Sequence, residues 1–416
     1  MNIKKAGVVL YTMLSTIKVN LIGQLWLNEV LVLAAAPFTF KPGDLKTYPY
    51  LKKILAALVM LLVFQVITDL LVVHSTPQDY LRGWAGTIIA MVSFVVLFKM
   101  LNETDAILLF LFMTMIKNII YTDDIVDSEM SFFKFKIVPI ITSALYLVLY
   151  YLYKKGEMKL VMTMLIGCSV LCIAFDSRST GVIFFLGATI IYFMNNKVQI
   201  SRQKIIVFAV LAAIIFQVCY IFYVKSVLNN EIGGEHAHTQ ISRLSNPYNP
   251  LELLMTGRAE TFAAGAAIAD KPLFGHGSWA KDESLKYYMI LLMYHDEELN
   301  IQAARETNHL VPSHSVLMGA WVNWGLGGFI AVTYLFLVLM KMGFYIIRNG
   351  QELALYPVLV LMTLGLIWTF LFSPFQQLRL LIPGISAIIL NTYYGLLEEA
   401  EAEAEEEQAH YELQMQ

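Results

Sequence analysis

Apolar runs of membrane-spanning length recur along almost the whole chain, and they limit the fold more than any other feature. A bilayer's hydrocarbon core takes about 20 apolar residues to cross as a helix. Runs near that length occupy residues 19–38, 54–74, 82–101, 105–121, 137–153, 158–175, 180–196, 204–224, 315–340, 354–372 and 380–397. The expectation is a polytopic, all-α membrane protein with about eleven transmembrane helices (10 to 14) by the length rule. Residues 6–18 are apolar but too short to span, and are read as an interfacial segment or an extension of the first helix. Composition agrees: 58% of the residues are hydrophobic and 15% charged. A soluble domain is about 25% charged, so one water-facing core does not hold this chain. The net charge of −3 argues against a nucleic-acid partner. Cys168, Cys172 and Cys219 lie in apolar runs and read as small core residues, not as a disulfide or zinc framework.

Lys4 and Lys5 ahead of apolar sequence, with Ala34-Ala35-Ala36 beyond, mimic a cleavable signal peptide. Lys18 interrupts that run and many spans follow, so the segment is read as retained. Orientation follows the Lys/Arg bias of the short loops. One alternate set carries Lys41, Lys46, Lys52, Lys53, Lys99, Lys154, Lys155, Lys159, Lys197, Arg202, Lys204, Lys341 and Arg348. The other carries Arg82, Lys117, Lys134, Lys136, Arg178 and Arg379. The first set is therefore assigned to the cytoplasm and the second to the outside. Lys4 and Lys5 fit this scheme poorly, because a span over 19–38 puts them on the wrong side. The division is then a bundle over 1–224, an outer loop over 225–313, further spans over 314–397 and an acidic cytoplasmic tail over 398–416. The tail is a solvated helix extension or disorder. Internal repeats and paired broken helices, frequent in secondary transporters, are not visible.

The outer loop is far longer than a connector needs, and long loops on rigid scaffolds tend to carry function. Six of the eight histidines lie in it or at its edge: His236, His238, His276, His295, His309 and His314. Leu251 to Ala269 has helical spacing, with Arg258 and Glu260 near its start. Lys271-Pro272 stops that helix, and Gly275-His276-Gly277 makes a tight turn. Residues 283–306 read as a second, amphipathic helix. Trp321 and Trp324 at the next span suit an interfacial belt, and the Gly325-Leu326-Gly327-Gly328 run permits close helix packing. His236-Ala237-His238 lacks nearby ligands, so no metal is expected there.

Several motifs, in order, resemble one family. Gly257-Arg258-Ala259-Glu260 followed by Lys271-Pro272-Leu273-Phe274-Gly275-His276-Gly277 is similar to the loop helix and turn of the O-antigen polymerase and ligase superfamily. His314-Ser315-Val316-Leu317 with the glycine run resembles that family's histidine motif, with Ser315 where Asn is frequent. Asp176-Ser177-Arg178-Ser179-Thr180 and Asp79-Tyr80-Leu81-Arg82-Gly83-Trp84 resemble two further elements, the latter one recurrent in the polymerases. The resemblance implies a GT-C-like glycosyltransferase of the bacterial inner membrane, working at its periplasmic face. Such an enzyme moves a glycan from an undecaprenyl-pyrophosphate carrier to an acceptor sugar, without nucleotide sugar, cofactor or metal, and inverts the anomeric centre. Donor and acceptor are then both lipid-linked oligosaccharides. A chain-length regulator and a flippase are the implied protein partners.

Residue chemistry suits that reaction. A departing lipid pyrophosphate develops negative charge beside a low-dielectric membrane, and arginines answer it with fixed paired donors. Arg178 and Arg258 are assigned to that role, with Arg82 and Arg379 as pyrophosphate-binding residues at outer helix ends. The acceptor hydroxyl needs a base, and His314 is assigned to it, with Glu260 or His309 as substitutes and His276 as a substrate contact. Trp279, Tyr287, Tyr288 and Tyr294 offer aromatic faces to sugar rings. Each assignment has a plainer reading: an arginine at a helix end snorkels to the interface, a histidine bonds backbone, an aromatic packs. Polymerases and ligases share these motifs; the Asp79–Trp84 element tilts the reading to a polymerase. A flippase or transporter is the rival from another class, and Asp69, the main charge deep in an apolar run, is the residue that favours it.

Overall fold

The computed structural model describes residues 3–20, 23–41, 43–121, 132–175, 177–196, 214, 217–232, 234–242, 244–250, 252–253, 259–295 and 310–414. The described chain is all-α apart from one small hairpin. Helix α1 (Ile3–Leu14) leads into strands β1 (Lys18–Asn20) and β2 (Gln24–Trp26), then α2 (Leu27–Thr39), α3 (Asp44–Thr47) and α4 (Pro49–Val66). Helices α5 (Pro77–Met100), α6 (Thr104–Ile120), α7 (Val138–Lys154), α8 (Met158–Ala174) and α9 (Arg178–Asn195) follow. The outer-loop region holds α10 (Gln217–Leu228), α11 (Gly234–Ser242), α12 (Ala259–Asp270) and α13 (Lys286–His295). The chain closes with α14 (Val316–Asn349), α15 (Tyr356–Phe372), α16 (Gln377–Leu380) and α17 (Ile382–Gln414).

Among the described residues, four helices are long and apolar enough to cross a bilayer: Pro49–Val72, Pro77–Met100, Phe133–Lys154 and Val316–Asn349. Helix α14 packs on α4, α15 and α17, and these contacts bury Leu58, Leu61, Leu335, Leu339, Leu359 and Ile388. Large apolar side chains on the outer helix faces, Val63, Val170, Phe185 and Leu337 among them, remain exposed. A soluble protein avoids such a surface; a bilayer solvates it.

The single span expected over 19–38 is corrected. Residues 18–26 form the antiparallel hairpin, with Lys18 opposite Trp26 and Asn20 opposite Gln24. Helices α1 and α2, of 12 and 13 residues, are each about 20 Å long at the helical rise, short of a full hydrocarbon core. The chain therefore rises through α1, turns at the hairpin and returns through α2. This explains the misfit of the N-terminal lysines. Lys4 bonds Asn102 and Lys5 bonds Asp105, in the same turn region as Lys99, which pairs with Asp44. Lys341 stands over Tyr50, and Tyr394 accepts from the Tyr50 N–H, so the lysine-rich connections share one end of the bundle.

The acidic tail is a helix extension: α17 runs through it, and residues 398–406 are exposed. Of the cysteines, Cys172 is buried and Cys168 half-buried, whereas Cys219 is exposed and not a core residue.

Candidate functional site

The outer loop is fastened to the bundle at a break in α14. Trp324 and Gly325 leave helical geometry there, Gly325 at φ 63° and ψ −159°. A broken helix frees carbonyls before the break and N–H groups after it, and each buried one requires a partner. The turn that follows α12 supplies them. The His276 N–H donates to the Val322 carbonyl at 2.8 Å, and the Gly277 N–H to that of Asn323 at 2.7 Å. In return the Leu326 N–H donates to the Pro272 carbonyl at 3.0 Å. Trp321 Nε1 donates to the same carbonyl, and Thr68 Oγ1 to that of Phe274. Lys271-Pro272 ends α12 at Asp270, and Gly275 and Gly277 take φ of 73° and 86°, as the turn reading expects.

Beneath this turn lies Asp69, fully buried in the π-helical end of α4. Its Oδ1 accepts from the Ser278 N–H at 2.6 Å and from Ser75 Oγ at 2.9 Å. Its Oδ2 accepts from Ser278 Oγ at 2.6 Å and Trp84 Nε1 at 3.0 Å. Trp324 Nε1 donates to Ser278 Oγ at 3.0 Å. Four donors are a full complement for a buried carboxylate. Asp69 is thus an anchor for the loop, and Trp324, 2% exposed, is a core link and not part of an interfacial belt.

The Asp79–Trp84 element forms the other wall. Thr76 caps α5 by accepting the Asp79 N–H, with Pro77 in the first turn. Asp79 pairs with Lys281 of the loop at 3.1 Å. Trp84 reaches Asp69, and Tyr80 stacks on Trp84 at 4.6 Å. Gly83 packs directly against Ser278; a Cβ there would overlap its side chain. Within the loop, Asp282 caps α13 by accepting the N–H groups of Tyr287 and Tyr288, both at 2.8 Å.

Of the expected site residues, Arg82 and Arg379 gather at this end of the bundle. The Arg82 guanidinium stands 5.6 Å from the centre of the Trp279 ring, and its side chain packs on Gly23 of the hairpin. Trp279 is 42% exposed and held at φ 60°, a strained backbone for a bulky residue and one found mostly at functional positions. Arg379 has a partner: it pairs with the buried Glu29 at 3.3 Å and donates to the Gln24 carbonyl at 2.9 Å, latching the hairpin. Arg178, the first residue of α9, lies 5.7 Å from the Tyr223 ring in a second group beside α10. His314 is exposed just before α14. Ser315 caps that helix, accepting the Met318 N–H and donating to the Phe370 carbonyl, which gives its side chain a structural role. Glu260 sits half-buried in the first turn of α12. Arg258 and His309 lie outside the described residues, as does the part of the expected helix over 283–306 that follows His295. Residues that the sequence reading left out of the site are Ser278, Trp84, Lys281 and Glu29. A lone charge in an apolar run is the one signal that marks Glu29, as it marks Asp69.

His276 holds the turn from the loop side. Its Nε2 lies 2.9 Å from the Ala267 carbonyl, so this nitrogen carries the proton of the neutral ring. Burial pushes its pKa below the usual histidine range; the Ala267 bond and the carboxylates of Asp270 and Asp282 pull the other way without reversing it. A lowered folded-state pKa means the undocked loop binds the proton more readily. Docking is then full above the ordinary histidine value of about 6.5 and weakens as pH falls through it towards the folded value. Tryptic cleavage at Lys281 is expected to speed up between pH 7 and 5.5 (about three-quarters and a tenth neutral for a free histidine), and a His276→Gln variant to lose that step. An unchanged step in the variant would assign it to another group.

The chain matches no protein-family model and no curated protein.

Proposed function

We propose that this protein is a membrane glycosyltransferase that polymerises lipid-pyrophosphate-linked oligosaccharide repeat units into a surface polysaccharide. The arrangement that supports this most directly is Arg82 over the exposed Trp279, on a turn clamped to the Asp79–Trp84 element. An exposed aromatic face beside a guanidinium suits a sugar ring joined to a phosphate. In this reading Arg82, Arg178 and Arg258 receive the pyrophosphate, and His314 takes the proton of the acceptor hydroxyl as the glycosidic bond forms. Glu260 and His309 contact substrate. Arg379 acts indirectly, since its charge is already met by Glu29.

The wider setting belongs to the same proposal: a GT-C-like bundle in a bacterial inner membrane, the loop at the periplasmic face, lipid-linked donor and acceptor, and a chain-length regulator and flippase as partners. The number of crossings is part of it too, with α1 and α2 as a short returning pair. A transporter reading has less support, because four donors already meet both oxygens of Asp69.

Polysaccharide ladders from a deletion strain complemented with variants test the proposal. His314→Ala is expected to leave protein in the membrane and to lower chain extension by about 100-fold or more, the scale of a lost general base. A full ladder from that variant would end the assignment of His314. The deletion itself is expected to leave single repeat units on the acceptor. Acceptor with no repeat unit at all would mean a ligase.

A further inference from the structure

A polar cavity lies at the hairpin end of the bundle. Its volume is ≈ 240 Å³. It is walled by Trp26 of the hairpin, Asn28 of α2, Lys117, Asn118 and Tyr121 at the end of α6, and Leu380 of α16. Among the described residues, no carboxylate lines it. Glu29, next to the lining residue Asn28, is engaged by Arg379 and by the Trp26 N–H.

Two of the lining groups lack partners. The Lys117 ammonium makes no hydrogen bond or ion pair with any described residue. The Asn28 side-chain oxygen is buried without a donor. Neighbouring polar groups are occupied: Asn118 donates to Pro139 and Ser143, and Lys136 donates to the Ile119 and Tyr121 carbonyls. A desolvated ammonium calls for an anion, and an orphaned buried acceptor calls for a hydroxyl. Trp26 and Tyr121 meet edge to face at 6.3 Å and add an aromatic wall of the kind that packs against a polyol. Phe135, 46% exposed, also lines the cavity, and the Lys18 and Lys134 ammoniums stand over the Trp26 and Phe135 rings. An anion drawn to these ammoniums beside exposed aromatic faces in a membrane protein is most simply the phosphate of an amphiphile.

We propose that this cavity binds a hydroxylated phosphate ester, of the glycerol-phosphate or sugar-phosphate class, with Lys117 on the phosphate and Asn28 accepting from a hydroxyl. The ligand is either a lipid headgroup or the free ester; the chemistry is shared. The inference stands apart from glycosyl transfer, since none of the residues assigned to that reaction lines the cavity.

Full-length protein in an uncharged maltoside detergent is titrated with glycerol 3-phosphate and with inorganic phosphate by calorimetry. In parallel, retention of phosphatidylglycerol against phosphatidylcholine is read by native mass spectrometry. Lys117→Met is expected to weaken binding about tenfold or more, the scale of a lost charged hydrogen bond. Lys117→Arg is expected to retain it, which separates loss of charge from loss of fold. Asn28→Leu is expected to weaken glycerol 3-phosphate but not inorganic phosphate. Binding of free glycerol 3-phosphate points to a soluble ester, and selective retention of phosphatidylglycerol alone to a headgroup; both support the site. If wild type and Lys117→Met bind both probes equally, or wild type binds neither, the proposal is overturned.

Discussion

Asp69→Ala is expected to release the outer loop from the bundle. The carboxylate is the only described acceptor for the Ser278 N–H and for Trp84 Nε1, both fixed in place. Hydroxyls such as those of Ser75 and Ser278 can turn to new acceptors; these two N–H groups cannot. A buried donor without a partner costs roughly 1–3 kcal/mol, so the pair costs about 4 kcal/mol. The substitution also removes the carboxylate's own desolvation cost, which returns part of that sum. Asp69→Asn keeps one acceptor oxygen and is expected to be milder. Faster tryptic cleavage at Lys281 measures the release, and a change in the emission of Trp84 and Trp324 accompanies it. Because the turn carries Trp279 to Arg82, polysaccharide extension is expected to fall with docking. A variant with wild-type protease resistance would show that the Asp69 network is not what holds the loop.

Gly325→Ala is expected to be the most disruptive of the conservative changes. At φ 63° and ψ −159° the backbone lies in a region open essentially to glycine alone. Strain there is about 1–3 kcal/mol for any other residue. The added Cβ would also fall inside contact distance of the Leu273 carbonyl and the Phe274 N–H, both backbone atoms unable to swing aside. Relief requires moving the turn off α14, which breaks the bonds of His276, Gly277 and Leu326 together. The expected loss exceeds about 3 kcal/mol, since strain and lost bonds add. Gly365→Ala is the matched control. It lies inside α15, where nothing stands within 4 Å of a new Cβ, and it is expected to be neutral or stabilising by up to about 1 kcal/mol. Thermal unfolding followed by gel filtration in detergent compares the two. Equal midpoints would remove the argument from backbone geometry.

Both changes concern the same junction, and only part of it was legible in the sequence. Hydropathy placed most helices, because lipid-facing residues must be apolar wherever the helix sits. It failed at residues 19–38, where average hydropathy hides a hairpin: Lys18, Asn20 and Gln24 are polar enough to turn the chain, yet Leu and Val between them keep the average high. The turn after α12 was visible because Lys-Pro and paired glycines restrict the backbone locally. Gly325 was visible as a glycine but not as a break, since the same residue also serves close packing, as Gly327 does against Phe64.

What the sequence determined by itself was the solvent, the helical class and the length of the outer loop, because each depends on residue type and local spacing. Partnership was decided only by the tertiary structure. Asp69 in an apolar run is an isolated charge on paper, and Asp79, Arg82 and Trp84 are a motif without an object. They acquire meaning when residues 271–281, about 200 positions later in the chain, close over them. A carboxylate's role depends on which donors surround it, and those donors come from segments that only folding brings within 3 Å.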